Sequence, residues 1–143
     1  MPQIDFYISN ATALEQRLVL ACRLADKAYR SGHKVYIHCA NDAQAQQLDE
    51  WLWSFQPSSY VPHALTTTNP PDSPVRIGSG EQHWSNGDVL INLNDTLPAN
   101  FSDYARVLEV VVQDAHVLDI TRQHWRLYKQ AGCDPQRREL GAA

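Results

Sequence analysis

A chain of 143 residues, 43% hydrophobic and 20% charged, suits one globular domain around a single core, and no apolar run approaches the roughly 18 residues that a membrane span requires. Its 12 Lys and Arg against 16 Asp and Glu leave a formal charge of -4, which argues against broad direct nucleic-acid binding, because that affinity comes from cations neutralising phosphates. Cys22, Cys39 and Cys133 are too widely spaced for a disulfide framework or a zinc site, and Gln3, Asp5 and Asn10 interrupt the only candidate signal segment, so a cytoplasmic address is expected.

In chain order, residues 4–8 (IDFYI) alternate and favour a strand. Thr12 and Glu15 then stand in capping-box spacing ahead of the helical stripe Leu14, Leu18, Cys22, Ala25 and Tyr29. Gly32 supplies a left-handed helix stop, and residues 34–39 (KVYIHC) form a short, nearly continuous apolar strand. A second helix follows Asn41 or Asp42, with Leu48, Trp51, Leu52 and Phe55 on one stripe. Two such strand-helix repeats favour a parallel sheet.

Between Pro57 and Pro74 five prolines among Ser, Thr and Asn predict an irregular surface connection. Residues 75–77 read as a short strand, and the Gly78-Ser79-Gly80 stretch as a turn. Residues 89–93 (VLINL) and 107–112 read as buried strands. The closing helix is expected from about residue 115 to 131, ended by Gly132 with Asp134-Pro135 beyond it. The fold that follows is a single-domain three-layer α/β/α sandwich with a mainly parallel central sheet over residues 1–135, and 136–143 a flexible C-terminal tail.

Catalytic signatures are weak. No Lys-Ser or Lys-Thr follows the glycines at 78 and 80, and the first strand-helix junction lacks the glycines that let a dinucleotide approach, so no nucleotide cofactor is expected. The histidines have no metal-ligand spacing, so no metal is expected. Asp88, Asp95 and Asp103 read as solvated or capping acids. The best enzyme alternative is a small hydrolase using Cys39 beside His38 at a strand's C-terminal end, although adjacent strand residues point to opposite faces.

Two surfaces instead suit partners. Arg122, Trp125, Arg126 and Lys129 fall on one helical face, with Ile120, His124, Leu127 and Ala131 expected on the opposite, inward side. Three cations around a tryptophan suit an anionic segment with an apolar anchor; the plainer alternative is a tryptophan covering core beside solubilising charges. A third alternative is direct single-stranded DNA binding through Trp125, which the overall acidity disfavours. Trp53 lies off its helix's buried stripe; it either wedges into the core or continues with residues 60–65 (YVPHAL) as a second interaction patch.

In motif order over nearly its whole length the chain resembles the chi subunit family of DNA polymerase III. The matching blocks are Asp5-Phe6-Tyr7, Ala28-Tyr29-Arg30-Ser31-Gly32, residues 48–53 (LDEWLW), Tyr60-Val61-Pro62-His63, residues 87–93, Glu109-Val110-Val111 and residues 122–132. The resemblance implies a non-catalytic adaptor that joins the clamp loader's psi subunit to the C-terminal tail of single-stranded DNA-binding protein, with DNA contacted indirectly and no membrane association. A repair helicase is a further candidate partner. The implied psi surface is Trp53, Tyr60, Val61, Pro62 and His63; the implied tail-binding face is Arg122, Trp125, Arg126 and Lys129, with Tyr128 closing one side. Trp125 stands where the family often has tyrosine, and the approach to the final helix is shorter.

Overall fold

The computed structural model describes residues 2–54, 63–65, 74–79, 87–98 and 100–139. Strands β1 (Gln3–Ile8), β2 (Val35–Cys39), β3 (His63–Leu65), β4 (Val75–Ser79), β5 (Val89–Asn92), β6 (Arg106–Val111) and β7 (Gln136–Glu139) form one sheet in the order β3-β4-β2-β5-β6-β1-β7. Every pairing is parallel. Helices α1 (Leu14–Arg30) and α2 (Asp42–Ser54) cover one face, and α3 (Ala115–Gln130) covers the other. The expected α/β/α sandwich is therefore the fold.

Burial on both faces explains why the central strands read as apolar runs. Val35, Ile37 and Cys39 pack with Leu18, Cys22 and Ala25 of α1 and Leu48 of α2. The alternate residue Tyr36 packs with Phe6, Val107 and Tyr128 on the α3 side. Gly32 and Gly132 both have φ of +88°, the left-handed stop read from the sequence after each helix.

Local chemistry departs from expectation in four places. Ala13, with no side-chain hydrogen bond, is the N-cap of α1, so the Thr12 and Glu15 capping box does not form. The working side-chain caps are Asn41, which accepts from the Gln44 amide at 2.8 Å, and Asp114, which accepts from the Val117 amide at 3.1 Å. Gly78 and Ser79 continue β4 rather than turning, and the proline-rich connection contains β3.

The last departure concerns the C-terminal segment. Gln136–Glu139, assigned by sequence to the tail, pair with Asp5–Ile8 of β1 as the edge strand β7. The regular structure thus passes the boundary drawn at residue 135. A buried carboxylate explains the attachment: Asp5, 0% exposed, accepts from Arg106 Nε at 2.8 Å and from Arg138 Nε at 3.1 Å. Charged residues on the outermost strand also discourage further edge pairing.

Candidate functional site

Helix α3 and the sheet edge formed by β1, β6 and β7 enclose a groove of about 640 Å³. Phe6 and Ile8 of β1, Val111 of β6 and Leu118 of α3 give it an apolar lining, and Trp125 overhangs it. The Trp125 ring is half-buried, tilted by 54° with its centroid 5.1 Å from that of Phe6. Arg122 and Arg126 of α3 and Arg137 of β7 also line it, Arg137 pairing through Nη2 with Glu139 Oε1 at 3.0 Å. Lys129 stands over the outer face of Trp125, its Nζ 6.0 Å from the ring centroid. An apolar slot between arginines can seat an aromatic side chain while forked donors bind neighbouring carboxylates.

The structure therefore brings Arg122, Trp125 and Arg126 together at one groove, with Lys129 beside it. It corrects the reading of Tyr128, which is fully buried, touches Phe6 and Phe101 and donates from its hydroxyl to Glu109 Oε2 at 2.6 Å. Tyr128 supports the groove floor from beneath and does not close its side. The inward stripe is corrected in part: His124 faces the core as expected, but Leu127 is 45% exposed and Ala131 is exposed, and the other buried positions of α3 are Val117 and Tyr128. Two of these inward side chains are polar, His124 and Tyr128, and both hydrogen-bond Glu109 on the sheet.

Sequence reasoning missed Arg137 and Glu109. The available signal was a carboxylate inside an apolar strand: Glu109 in β6 itself, and Asp5 in β1, whose donor Arg138 brings the neighbouring Arg137 with it, since a buried charge requires donors from elsewhere in the chain. Tyr60, Val61 and Pro62 lie outside the described residues; Trp53 lies in the last turn of α2 and His63 opens β3, and both are described in backbone alone.

Glu109, 3% exposed, is the hub beneath α3. Its carboxylate accepts from Tyr128, from Asn92 Nδ2 at 3.0 Å and from His124 Nδ1 at 3.2 Å. His124 Nε2 lies 2.7 Å from the Asp95 carbonyl, which can only accept, so an imidazolium satisfies both ring nitrogens. Burial alone would depress this histidine, but the hydrogen bond and charge of Glu109, with the Asp95 carbonyl, outweigh burial and raise it above its ordinary 6.5. On α1, Arg17 spans to the sheet, donating to the Val110 carbonyl at 2.9 Å.

Among the described residues the buried His38 and His124 shift oppositely, which predicts a stability maximum near pH 6.5, their ordinary value. His38 is lowered by burial, so below 6.5 the unfolded chain takes up its proton first and acid destabilises. His124 is raised, so above 6.5 the folded chain retains a proton that the unfolded chain has lost, and stability falls until the folded group titrates. Urea midpoints measured from about pH 5 to about pH 8 should give that maximum, and His124→Asn should flatten the alkaline limb. An unchanged alkaline slope in the variant would remove His124 as its source.

The Cys39 alternative loses its chemistry here. Cys39 is fully buried, its thiol pushed up to about 12 chiefly by burial, and it packs on the α1 and α2 face. His38 turns to the other face, where it meets Tyr36 Oη at 3.2 Å and Asn94 Nδ2 at 3.2 Å. No nucleophile and base pair is formed by these neighbours.

The sequence model of the family described as "DNA polymerase III chi subunit, HolC" matches residues 1–136. The chain belongs to this family. Among curated relatives, the DNA polymerase III subunit chi of Pseudomonas aeruginosa is 39% identical over 132 residues, covering 92% of each chain. The subunit chi of Haemophilus influenzae is 30% identical over 140 residues, with 96% of each chain covered. That of Escherichia coli is 31% identical over 130 residues, covering 90% of this chain and 86% of its relative. By name, chi proteins are accessory subunits of a polymerase assembly in DNA replication. Among the described residues, no helix of the chi-family chain is long and apolar enough to cross a membrane.

Proposed function

We propose that the chain is a non-catalytic adaptor of the DNA polymerase III holoenzyme in the bacterial cytoplasm, whose α3 groove binds the acidic C-terminal tail of single-stranded DNA-binding protein. The observation that carries this is the pairing of an apolar slot at Phe6 and Trp125 with Arg122, Arg126 and Arg137 around it. A tail ending in phenylalanine after several carboxylates complements both parts. The clamp loader's psi subunit is assigned, on family resemblance, to the region of Trp53, Tyr60, Val61, Pro62 and His63. Tethering of this kind raises local concentration and needs no turnover.

The test is a titration with a fluorescent peptide copying that tail. Binding should saturate, weaken as salt screens the arginines, and retain a salt-resistant part from the buried ring. Arg126→Ala should weaken it on the order of 10-fold or more, the effect of losing a charge-assisted hydrogen bond. Wild-type protein that does not bind the peptide, or an Arg126→Ala protein that binds it equally, would overturn the groove assignment.

A further inference from the structure

Every residue that α3 contributes to the groove is held over the sheet by three inward side chains, Val117, His124 and Tyr128. Val117 packs without directional bonds. His124 and Tyr128 are four residues apart on one helical face and converge on the same carboxylate, Glu109 of β6. Tyr128 also touches Phe6, with centroids 5.8 Å apart, and Phe6 is the ring on which Trp125 rests. A continuous chain of contacts thus runs from Glu109 through Tyr128 and Phe6 to the groove's apolar end.

We infer that Glu109 is a positioning residue for the groove: by gripping His124 and Tyr128 it fixes the roll of α3, and with it the placing of Trp125 and Arg126 relative to Arg137. The inference rests on the groove being the tail-binding site. Glu109 lies below the floor and acts only through the helix. Apolar packing alone would tolerate small rotations of α3, whereas two hydrogen bonds from successive turns to one buried carboxylate admit a single roll angle.

One half of the grip is protonation-dependent. The charged and titratable groups around His124 are Glu109 on β6, Arg17 on α1, Asp95 after β5 and Tyr128 on α3 itself. Arg17 opposes the imidazolium and Glu109 supports it, with the Asp95 carbonyl holding the second ring nitrogen. When His124 loses its proton, its bond to either Glu109 or Asp95 must fail, because one ring nitrogen no longer donates.

The experiment is the tail-peptide titration repeated from about pH 6.5 to about pH 8.5, a window in which the peptide's carboxylates do not titrate. It is run in a His116→Gln background, since the exposed His116 pairs with Asp95 at 2.7 Å and is a second histidine touching the same network. Affinity should fall on the order of 10-fold as pH rises, one buried contact's worth. Glu109→Gln should bind several-fold more weakly at the acid end and show a flatter pH profile, because the carboxylate whose hydrogen bond and charge favour the imidazolium is gone. Its affinity should converge with wild type at the alkaline end. If Glu109→Gln does not fold, the pH profile and Tyr128→Phe, expected to be weaker at every pH, carry the test.

The possible failures are distinguishable. Absence of wild-type binding, or binding indifferent to Arg126→Ala, removes the groove reading and this inference together. Binding that Arg126→Ala abolishes, but that is level across pH and unchanged by Glu109→Gln or Tyr128→Phe, overturns the positioning role alone.

Discussion

Replacing Glu109 with alanine should lower the unfolding free energy by about 3–5 kcal/mol, the usual cost of removing one member of a buried charged network. The substitution leaves the Tyr128 hydroxyl, the Asn92 amide and His124 facing a cavity, and it takes away the charge that most favours the buried Arg17 guanidinium. Most of the loss comes from the stranded donors rather than from any net value of the pair. The double variant Glu109→Leu with Tyr128→Phe should therefore recover part of it, since the largest stranded donor is removed and the apolar volume restored. Urea denaturation followed by tryptophan fluorescence measures both variants. A loss below about 1 kcal/mol for Glu109→Ala would mean that the carboxylate does not organise the layer beneath α3.

Phe6→Ala is the second large effect, about 3 kcal/mol, at the lower end of the range for a buried phenylalanine. Phe6 is 1% exposed and its ring meets both Trp125 and Tyr128, so truncation removes packing for two aromatic rings at once. The lower end applies because the groove beside it lets Trp125 settle partly into the void. In a thermal melt this corresponds to a midpoint lowered by roughly 10 °C for a domain of this size. The same variant should lose the salt-resistant part of tail binding while keeping its salt-sensitive part. If the salt-resistant part survives, the aromatic anchor seats somewhere other than on Phe6.

Family membership and buried geometry bear on different questions. Similarity over residues 1–136 places the chain among chi subunits, and the proposed role of the groove is one that individual side chains can test. The unreactive setting of Cys39, fully buried with its thiol held protonated, adds no competing chemistry. What distinguishes this site from an ordinary basic helix face is the apolar slot beneath the arginines, which a surface salt bridge alone would not need.

By itself the sequence determined whatever depends on near neighbours. Apolar runs at residues 35–39 and 89–93 specified strands buried on both sides, helical stripes specified α1 and α2, and Gly32 and Gly132 specified where α1 and α3 end. The spacing of Arg122, Trp125 and Arg126 likewise placed them on one face before any fold was known. Only the tertiary structure decided which side of α3 turns inward, because Glu109 is 15 residues from His124 and 19 from Tyr128 along the chain. It alone supplied β7 and Arg137: a segment reading Gln-Arg-Arg-Glu carries no apolar period, and it becomes a strand by backbone pairing with β1 and by the bond from Arg138 to Asp5, 133 residues away. Periodicity records what a segment does with its own neighbours, whereas a buried carboxylate recruits partners at any separation, and both ends of the groove were set by such recruitment.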